Sequence, residues 1–258
     1  MMSMIRKEFA VNSIYSLLVD DRGAVWVGHF QAGLDYSLYQ NGLFRTYDYP
    51  PLFNSANLSI RSFVNRGQEK VIGSRDGLFY INEATGVVKS FVKPVLTSDL
   101  ILTISFYQGE YYIGTYGGGM MVLNPGTLSL KYFAQGDTEL FQKGHIFCVK
   151  PDAKGNLWIG TSQGLFCYNG QTKQIKHFTS ANSQLPEGNV YEVSFDSTGK
   201  GWIATETGMC IYDPASQNLR SNVFPEGFVH RDKVRTIYED AEHNLYFIRE
   251  KGACLHLL

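Results

Sequence analysis

The amino-acid sequence has almost no net charge and no block of Lys or Arg residues. Its 258 residues contain 23 Lys and Arg against 24 Asp and Glu, which leaves a formal charge of -1. Nucleic acids and anionic membrane surfaces are bound through clustered positive charge. We therefore expect neither of them to be a partner of this chain.

Long apolar runs are missing as well. No stretch approaches the roughly 18 residues of a membrane-spanning helix, and residues 1–11 lack the apolar core of a signal peptide. We therefore expect a soluble chain with no signal peptide and no transmembrane segment.

Paired cysteines and catalytic motifs are also absent. The four cysteines, at positions 148, 167, 210 and 254, form no Cys-x-x-Cys pair, so we expect buried free thiols and no metal site. The sequence contains no Gly-x-Ser-x-Gly elbow, no His-Glu-x-x-His motif and no phosphate loop. We therefore predict no catalytic residues, no cofactor and no enzyme activity.

What the sequence does contain is a repeated segment. It has an Asp-x-x-Gly turn, a short aromatic strand, a tight turn ending in glycine and a second apolar strand, and its fullest copy spans residues 152–165. The glycines that end the tight turn recur at intervals of 41 to 46 residues and are Gly33, Gly77, Gly118, Gly164, Gly208 and Gly252. Such a period is typical of a β-propeller. We predict one all-β domain over residues 1–258, with six repeats of about 44 residues.

Each repeat divides into four predicted strands, a to d. In the best-defined copies, strand a is seen at residues 189–195, strand b at 157–160, strand c at 164–168 and strand d at 175–178. Strand b carries a tryptophan two residues before a small residue, at Trp26, Trp158 and Trp202. We expect these rings to pack against the next blade. The acidic residues before strand b are interpreted as turn formers, because no calcium-loop pattern is present.

The last repeat ends after strand c, at the end of the sequence. Residues 1–8, which precede the first strand a, are the only segment free to supply the missing outer strand, and we predict that they pair with residues 253–258. This gives six four-stranded blades with the last blade completed by the N-terminus. The alternative is an open or partial piece of a seven-bladed ring.

The repeat resembles the two-component regulator propeller repeat. The likeness rests on Asn-x-Ile-x-x-Leu followed by Asp-x-x-Gly-x-Leu-Trp-Ile-Gly-Thr-x-x-Gly-Leu, and residues 12–34 and 145–168 match best. Residues 189–212 match apart from Ala204 and Met209, and the second, third and sixth repeats lack the tryptophan. The resemblance implies the periplasmic ligand-sensing region of bacterial hybrid two-component sensors, many of which are similar to regulators of glycan uptake. It also implies, as partners, a small-molecule or oligosaccharide ligand and either a homodimer or missing sensor domains.

Candidate ligand-binding residues come from two sets of loops. The turns between strands b and c, and the segments leading into strand a, should share one end of the blades, where propellers place function. Aromatic rings beside Arg, Gln and Glu side chains suit sugar rings and their hydroxyl or acidic groups. The predicted set is His29, Arg75, Tyr116, His145, Gln163, Glu206, Arg231 and Arg249.

Two other functions stay open at this point. The same end, or an unclosed blade edge, could serve as a protein-interaction platform. The Asp-x-x-Gly-x-Leu-Trp turn also occurs in propeller lyases similar to streptogramin lyase, where Glu206 and His145 would have to form an acid–base pair.

Overall fold

The computed structural model describes residues 5–6, 14–19, 24–29, 34–37, 44–46, 59–133, 138–221, 233–240, 242–249 and 254–257. Its backbone contacts divide the chain into two compact units, Met1–Ile104 and Ser105–Leu258, which are described separately. Strands make up nearly all of the regular structure in the described residues. No helix in this part of the chain has the length and apolarity that a membrane span requires.

The first unit contains two antiparallel sheets. One has five strands in the order β1-β5-β4-β3-β2. Its strands are β1 (Ile5–Arg6), β2 (Ile14–Val19), β3 (Val25–His29), β4 (Leu34–Ser37) and β5 (Phe44–Thr46). The other is a four-stranded meander of β6 (Ile60–Arg66), β7 (Glu69–Ser74), β8 (Leu78–Asn82) and β9 (Val87–Phe91).

The second unit contains the remaining strands, and its first strand begins just before the boundary between the units. Its first sheet consists of β10 (Ile101–Tyr107), β11 (Glu110–Thr115), β12 (Met120–Asn124) and β13 (Ser129–Tyr132). A helix of six residues follows, α1 (Thr138–Lys143). The next sheet consists of β14 (Ile146–Pro151), β15 (Asn156–Thr161), β16 (Gly164–Asn169) and β17 (Ile175–Phe178).

Two more sheets complete the second unit. One consists of β18 (Val190–Phe195), β19 (Gly201–Thr205), β20 (Met209–Asp213) and β21 (Asn218–Arg220). The other has three strands, β22 (Val234–Glu239), β23 (Leu245–Arg249) and β24 (Cys254–Leu257). The strands of each sheet follow one another in sequence order, apart from β1 at the edge of the first sheet, as in the blades of a propeller, so the predicted all-β propeller class is confirmed.

The predicted blade count and closure are not supported. Five sheets have four or five strands and form the blades, whereas the last sheet has three described strands. The N-terminal strand does not complete that sheet, because Ile5 pairs with Arg45 and Arg6 with Phe44 at the outer edge of the first sheet. Pairing with an edge nearby in sequence closes a shorter loop, which costs less chain entropy than reaching the last repeat.

The tryptophans of strand b pack against the following sheet, as predicted. Trp158 is 1% exposed, and its ring centroid lies 4.5 Å from that of Tyr212. The corresponding distance from Trp26 to Phe63 is 5.5 Å, and from Trp202 to Phe247 it is 5.6 Å. Each ring therefore fills the space between its own sheet and the next.

The small residue after each tryptophan allows this close packing. A Cβ atom added at Gly160 would lie 2.5 Å from Cys148 Sγ and 2.7 Å from the carbonyl oxygen of Val190, the first residue of the next sheet. The equivalent position in the last sheet is Ile248, which is 45% exposed. A small residue, Gly or Ala, therefore stands where another first strand approaches, and the last sheet has the larger Ile248 in its place.

The cysteines are free where the structure describes their side chains. Cys148 and Cys210 are buried, and burial raises the pKa of each thiol well above its usual range. Burial likewise raises the pKa of Cys167 to about 12. The prediction of buried free thiols is confirmed for Cys148 and Cys210, whereas Cys167 is free but only partly buried and the side chain of Cys254 lies outside the described residues.

Candidate ligand-binding face

The turns between the second and third strands of four of the described sheets are held by a hydroxyl group, which belongs to Ser74, Thr115, Thr161 or Thr205. Thr161 Oγ1 donates to the carbonyl oxygen of Gly164 at 2.8 Å and accepts from the backbone amide of Gln163 at 3.0 Å. Thr205 makes the same bond to Gly208, at 2.9 Å. This clamp explains the Thr-x-x-Gly spacing of the repeat, and it holds the two middle residues at the end of the sheet.

The segments that lead into each first strand are joined to these turns. The backbone amide of Ser162 donates to the carbonyl oxygen of His145 at 3.2 Å, and that of Glu206 donates to Asn189 at 2.9 Å. The structure thus brings the two predicted sets of loops together within a sheet. His145, Gln163 and Glu206 all lie at this end of the second unit.

A bulge in each first strand provides a further set of side chains. In β14, β18 and β22 the pairing with the following strand skips one residue, which is Phe147, Tyr191 and Arg235 respectively. A bulged residue is released from the ladder, and its side chain is re-aimed, a device found beside functional sites. Because β14 lies beside β18 and β18 beside β22, the three bulged residues are neighbours.

The three bulged residues form a continuous row of stacked groups, which we call the bulge row. The ring centroids of Phe147 and Tyr191 lie 5.1 Å apart, and the Arg235 guanidinium carbon lies 4.4 Å from the centre of the Tyr191 ring. Lys233 Nζ lies 5.2 Å from the same ring. The bulge row therefore combines aromatic rings with positive charge within one line.

His145 and Tyr116 extend the bulge row at its Phe147 end. Their rings are stacked with centroids 4.0 Å apart and planes at 24°, and Tyr116 is 50% exposed. The His145 ring lies 6.2 Å from that of Phe147. The buried Nδ1 atom of His145 has no hydrogen-bond partner among the described residues. His145 consequently offers a ring face rather than this nitrogen.

The helix α1 determines where His145 lies. The backbone amide of Gly119 donates to the carbonyl oxygen of Gly144 at 2.9 Å, directly before His145. Gly119 has a φ of 69°, and an added Cβ would fall 2.0 Å from the carbonyl oxygen of Phe141 in α1. Only glycine fits this contact, so the glycine-rich turn after Tyr116 lets the helix dock and positions the Tyr116–His145 stack.

Glu206 lies at the other side of the bulge row. Its Oε2 atom accepts from the backbone amide of Asn189 at 3.4 Å, and its Oε1 atom lies 4.0 Å from Lys233 Nζ. The side-chain amide of Asn189 donates to the Tyr191 hydroxyl at 3.1 Å. Glu206 and His145 have different partners, and no hydrogen bond or ion pair joins them in the described contacts.

An ion pair links the strands that carry the bulge row. Lys150 Nζ on β14 lies 3.4 Å from Glu192 Oε1 on β18. Burial raises the pKa of Glu192, and the opposing charge of Lys150 reduces this effect, whereas the Glu192 carboxylate raises the pKa of Lys150. The pair ties β14 to β18 and so helps to hold Phe147 against Tyr191.

The first unit repeats the same two features. Ser74 Oγ donates to the carbonyl oxygen of Gly77 at 3.1 Å, and the exposed Arg75 lies in the middle of that turn. The bulged residues of β2 and β6 are Tyr15 and Arg61. The Arg61 guanidinium carbon lies 4.7 Å from the centre of the Tyr15 ring. An aromatic ring and a cation therefore stack at the bulges of this unit as well.

Three of the predicted residues are not placed at this surface. His29 was predicted to bind ligand, but its side chain is fully buried and its Nε2 atom lies 3.0 Å from Asp35 Oδ2. Its place at the end of β3 points the ring into the interior, so this prediction is corrected. Arg231 lies outside the described residues, and so does the side chain of Arg249, whose backbone ends β23.

The predicted set contains none of the bulged residues and lacks Lys233. A signal was available, because Phe147, Tyr191 and Arg235 follow one another at intervals of 44 residues. The residue types do not indicate a bulge, however, so Phe147 has the pattern of an ordinary residue in a buried strand. Within the described residues, no group of three or more His, Cys, Asp or Glu side chains is placed to hold a metal ion.

Comparison with known proteins agrees with this architecture. The family model described as two component regulator propeller matches residues 141–163, which include strands β14 and β15 and most of the clamped turn. No curated protein matches the chain in sequence. The solved structures similar to it include the extracellular domain of the hybrid two component system BT3049 from B. thetaiotaomicron, with a TM-score of 0.78 and 22% identity.

Two further structures have similar folds. The extracellular domain of the hybrid two component system BT4673 from B. thetaiotaomicron has a TM-score of 0.67 and 17% identity, and YCF48 bound to D1 peptide has a TM-score of 0.70 and 12% identity. The matches cover 96% of this chain for BT3049 and BT4673 and 98% for YCF48. The chain spans 34% of BT3049, 38% of BT4673 and 80% of YCF48. At these identities the likeness establishes the propeller fold. The matched segment shows that residues 141–163 are similar to the two component regulator propeller repeat.

Proposed function

We propose that this chain is a non-catalytic ligand-sensing propeller of a two-component signalling system. The observation that carries the proposal is the bulge row, in which Phe147, Tyr191 and Arg235 stack in one line. Bulges are over-represented next to active sites, where they re-aim a side chain. The likeness to extracellular domains of hybrid two component systems supports the signalling role and a periplasmic location.

The ligand that suits the bulge row is an oligosaccharide or a similar polar molecule. Aromatic faces stack on the apolar faces of sugar rings, and Arg235 and Lys233 can pair with hydroxyl or acidic groups. Glu206, 4.0 Å from Lys233, adds an acceptor for hydroxyl groups. The exposed Tyr116, stacked on His145, would lengthen the surface to more than one sugar unit.

Binding of a panel of neutral and acidic oligosaccharides tests the proposal. A ligand that binds only the folded chain raises its Tm, and calorimetry then gives the Kd. We expect Tyr191→Ala to raise the Kd of the selected ligand at least tenfold, because stacking and both cation contacts are lost. Tyr132→Ala, which removes a 47% exposed tyrosine from an outer strand, is the matched control and should leave the Kd unchanged.

Two results would count against this function. Equal weakening by Tyr191→Ala and Tyr132→Ala would place the ligand away from the bulge row. Turnover of a bound saccharide that is lost in His145→Ala or Glu206→Ala would support the enzyme alternative instead.

A protein-interaction platform is the second candidate. It is favoured by the similar fold of YCF48, a propeller solved with D1 peptide bound. In this case the bulge row would bind a protein segment rather than a sugar. The Tyr191→Ala variant would then lose a protein partner in a pull-down while no oligosaccharide raised the Tm.

A further inference from the structure

The second unit also contains a cleft that shares no residue with the bulge row. It has a volume of about 440 Å³ and lies between β17, the outer strand of one sheet, and β21, the outer strand of the next. The buried side chains of Phe178 and Leu219, each 4% exposed, lie in its lining. The volume is within the range of small-molecule sites, about 300 to 1,000 Å³.

Two cations line this cleft. Lys176 Nζ lies 4.6 Å from the centre of the Phe178 ring and donates to the carbonyl oxygen of Gln217 at 3.4 Å. The Arg220 guanidinium lies 3.6 Å from Asp213, and 59% of its side chain is exposed. No Asp or Glu is among the described residues that line the cleft. The lining residues therefore carry net positive charge, of which Asp213, beside the cleft, offsets the part at Arg220.

The neutral side chains of the cleft add hydrogen-bond donors. Gln184 Oε1 accepts from the backbone amide of Ser221 at 3.2 Å, which leaves the amide N–H groups of Gln184 for a ligand. Both polar atoms of the Asn182 side chain are hydrogen-bonded, since its oxygen accepts from the backbone amide of Thr179 and its nitrogen donates to the carbonyl oxygen of His177. Asn182 thus braces the wall and Gln184 offers donors.

The wall of the cleft is also held in place by a ring stack. The His177 ring lies parallel to the Phe166 ring, with centroids 3.9 Å apart and planes at 7°. Its Nε2 atom lies 2.9 Å from the carbonyl oxygen of Gln163. A wall fixed in this way loses little conformational entropy when a ligand binds.

We propose that this cleft binds an acidic sugar unit, with its carboxylate or sulfate group at Lys176 and Arg220. A donor-rich lining without carboxylates favours a group that only accepts hydrogen bonds and carries negative charge. The saccharide part of the assignment rests on the proposed function. The oxyanion part rests on the cleft alone.

Calorimetric titration of the full chain with glucuronate, glucose 6-sulfate and glucose tests the proposal. We expect the two acidic sugars to bind and glucose to bind at least tenfold more weakly. The double variant Lys176→Gln and Arg220→Gln should lower the affinity for the acidic sugars at least tenfold, because two charge-assisted contacts are lost. Lys173→Gln is the control, since Lys173 lies outside the cleft and 5.9 Å from the Tyr168 ring.

The outcomes separate this site from the bulge row. The double variant Lys176→Gln and Arg220→Gln changes no residue of the bulge row, so loss of acidic-sugar binding in it points to the cleft whether or not oligosaccharides bind at the bulge row. Binding of only one acidic sugar would restrict the site to carboxylate or to sulfate. Equal binding of glucose, no binding of either acidic sugar, or unchanged affinity in the double variant would overturn the proposal.

Discussion

Asp152 accepts a hydrogen bond from the indole N–H of Trp158, with 2.9 Å between Oδ2 and Nε1. The other carboxylate oxygen accepts from the backbone amides of Lys154 at 2.9 Å and Asn156 at 2.8 Å. One side chain thus closes the turn between the first two strands and anchors the tryptophan that packs on the next sheet. This explains why the repeat pairs Asp with an aromatic residue six positions later.

The same relationship recurs in the next two sheets. Asp196 Oδ2 accepts from Trp202 Nε1 at 2.8 Å, and Asp240 Oδ2 accepts from the Tyr246 hydroxyl at 3.0 Å. The tryptophan can therefore be replaced by tyrosine while the anchor is kept. These carboxylates bond to the turn and the aromatic ring, which confirms their interpretation as turn formers.

We expect Asp152→Ala to lower the free energy of unfolding by about 1 to 3 kcal/mol, because the partly buried indole N–H loses its acceptor and the turn loses its cap. Urea unfolding followed by tryptophan fluorescence measures this change. Asp213→Ala is the control, since Asp213 accepts from the Ala215 amide in an exposed turn and touches no core ring. An equal loss of unfolding free energy in both variants would show that the hydrogen bond to Trp158 adds no stability of its own.

Trp158→Ala should lower the free energy of unfolding by about 3 to 5 kcal/mol, since a large ring that is 1% exposed leaves a cavity between two sheets. Chemical denaturation followed by circular dichroism gives the value. The exposed Tyr132 serves as comparison, and Tyr132→Ala should change stability by less than about 0.5 kcal/mol. A loss below about 1 kcal/mol for Trp158→Ala would mean that the sheets are not packed around this ring.

Ile14 and Ile146 hold the same position, immediately before the bulge in a first strand, but differ in burial. Ile14 is 41% exposed on β2, whereas Ile146 is fully buried on β14. We expect Ile146→Ala to cost about 2 to 5 kcal/mol and Ile14→Ala less than about 1 kcal/mol. Thermal and urea unfolding of both variants measure the difference. Equal costs would show that Ile14 is covered in solution by a further surface.

Asp196 should contribute to the dependence of stability on pH. Burial alone would raise the pKa of this carboxyl, but bonds from Thr198, Trp202 and Lys200 lower it below the usual value. Because the pKa is lower in the folded than in the unfolded chain, this stabilisation is present above about pH 4 and is lost as the pH falls through the folded pKa. Carbon NMR titration of the Asp196 carboxyl, compared between the wild type and Trp202→Phe, measures the shift. We expect the variant to move the pKa upward, and an unchanged pKa would contradict the role of the indole bond.

Features that depend on local sequence were predictable. The Asp turn, the tryptophan of strand b and the small residue after it recur along the chain, because each makes the same kind of contact wherever the repeat contains it. The clamped turns also follow from the Thr-x-x-Gly spacing, and they place Gln163 and Glu206 at the end of a sheet. Periodicity indicated the blade-like sheets before any contact was known.

Features that depend on which surfaces meet were decided by the tertiary structure alone. The bulge at Phe147 comes from the register between two strands, and residue types do not encode it. His29 looked like a loop residue, yet it is buried against Asp35 at the end of a strand. The N-terminal strand pairs with the outer edge of the first sheet, which is nearer in sequence than the edge of the last sheet. Local patterns determine turns and strands because their energies involve neighbours in sequence, whereas register, burial and edge pairing depend on competition between distant segments.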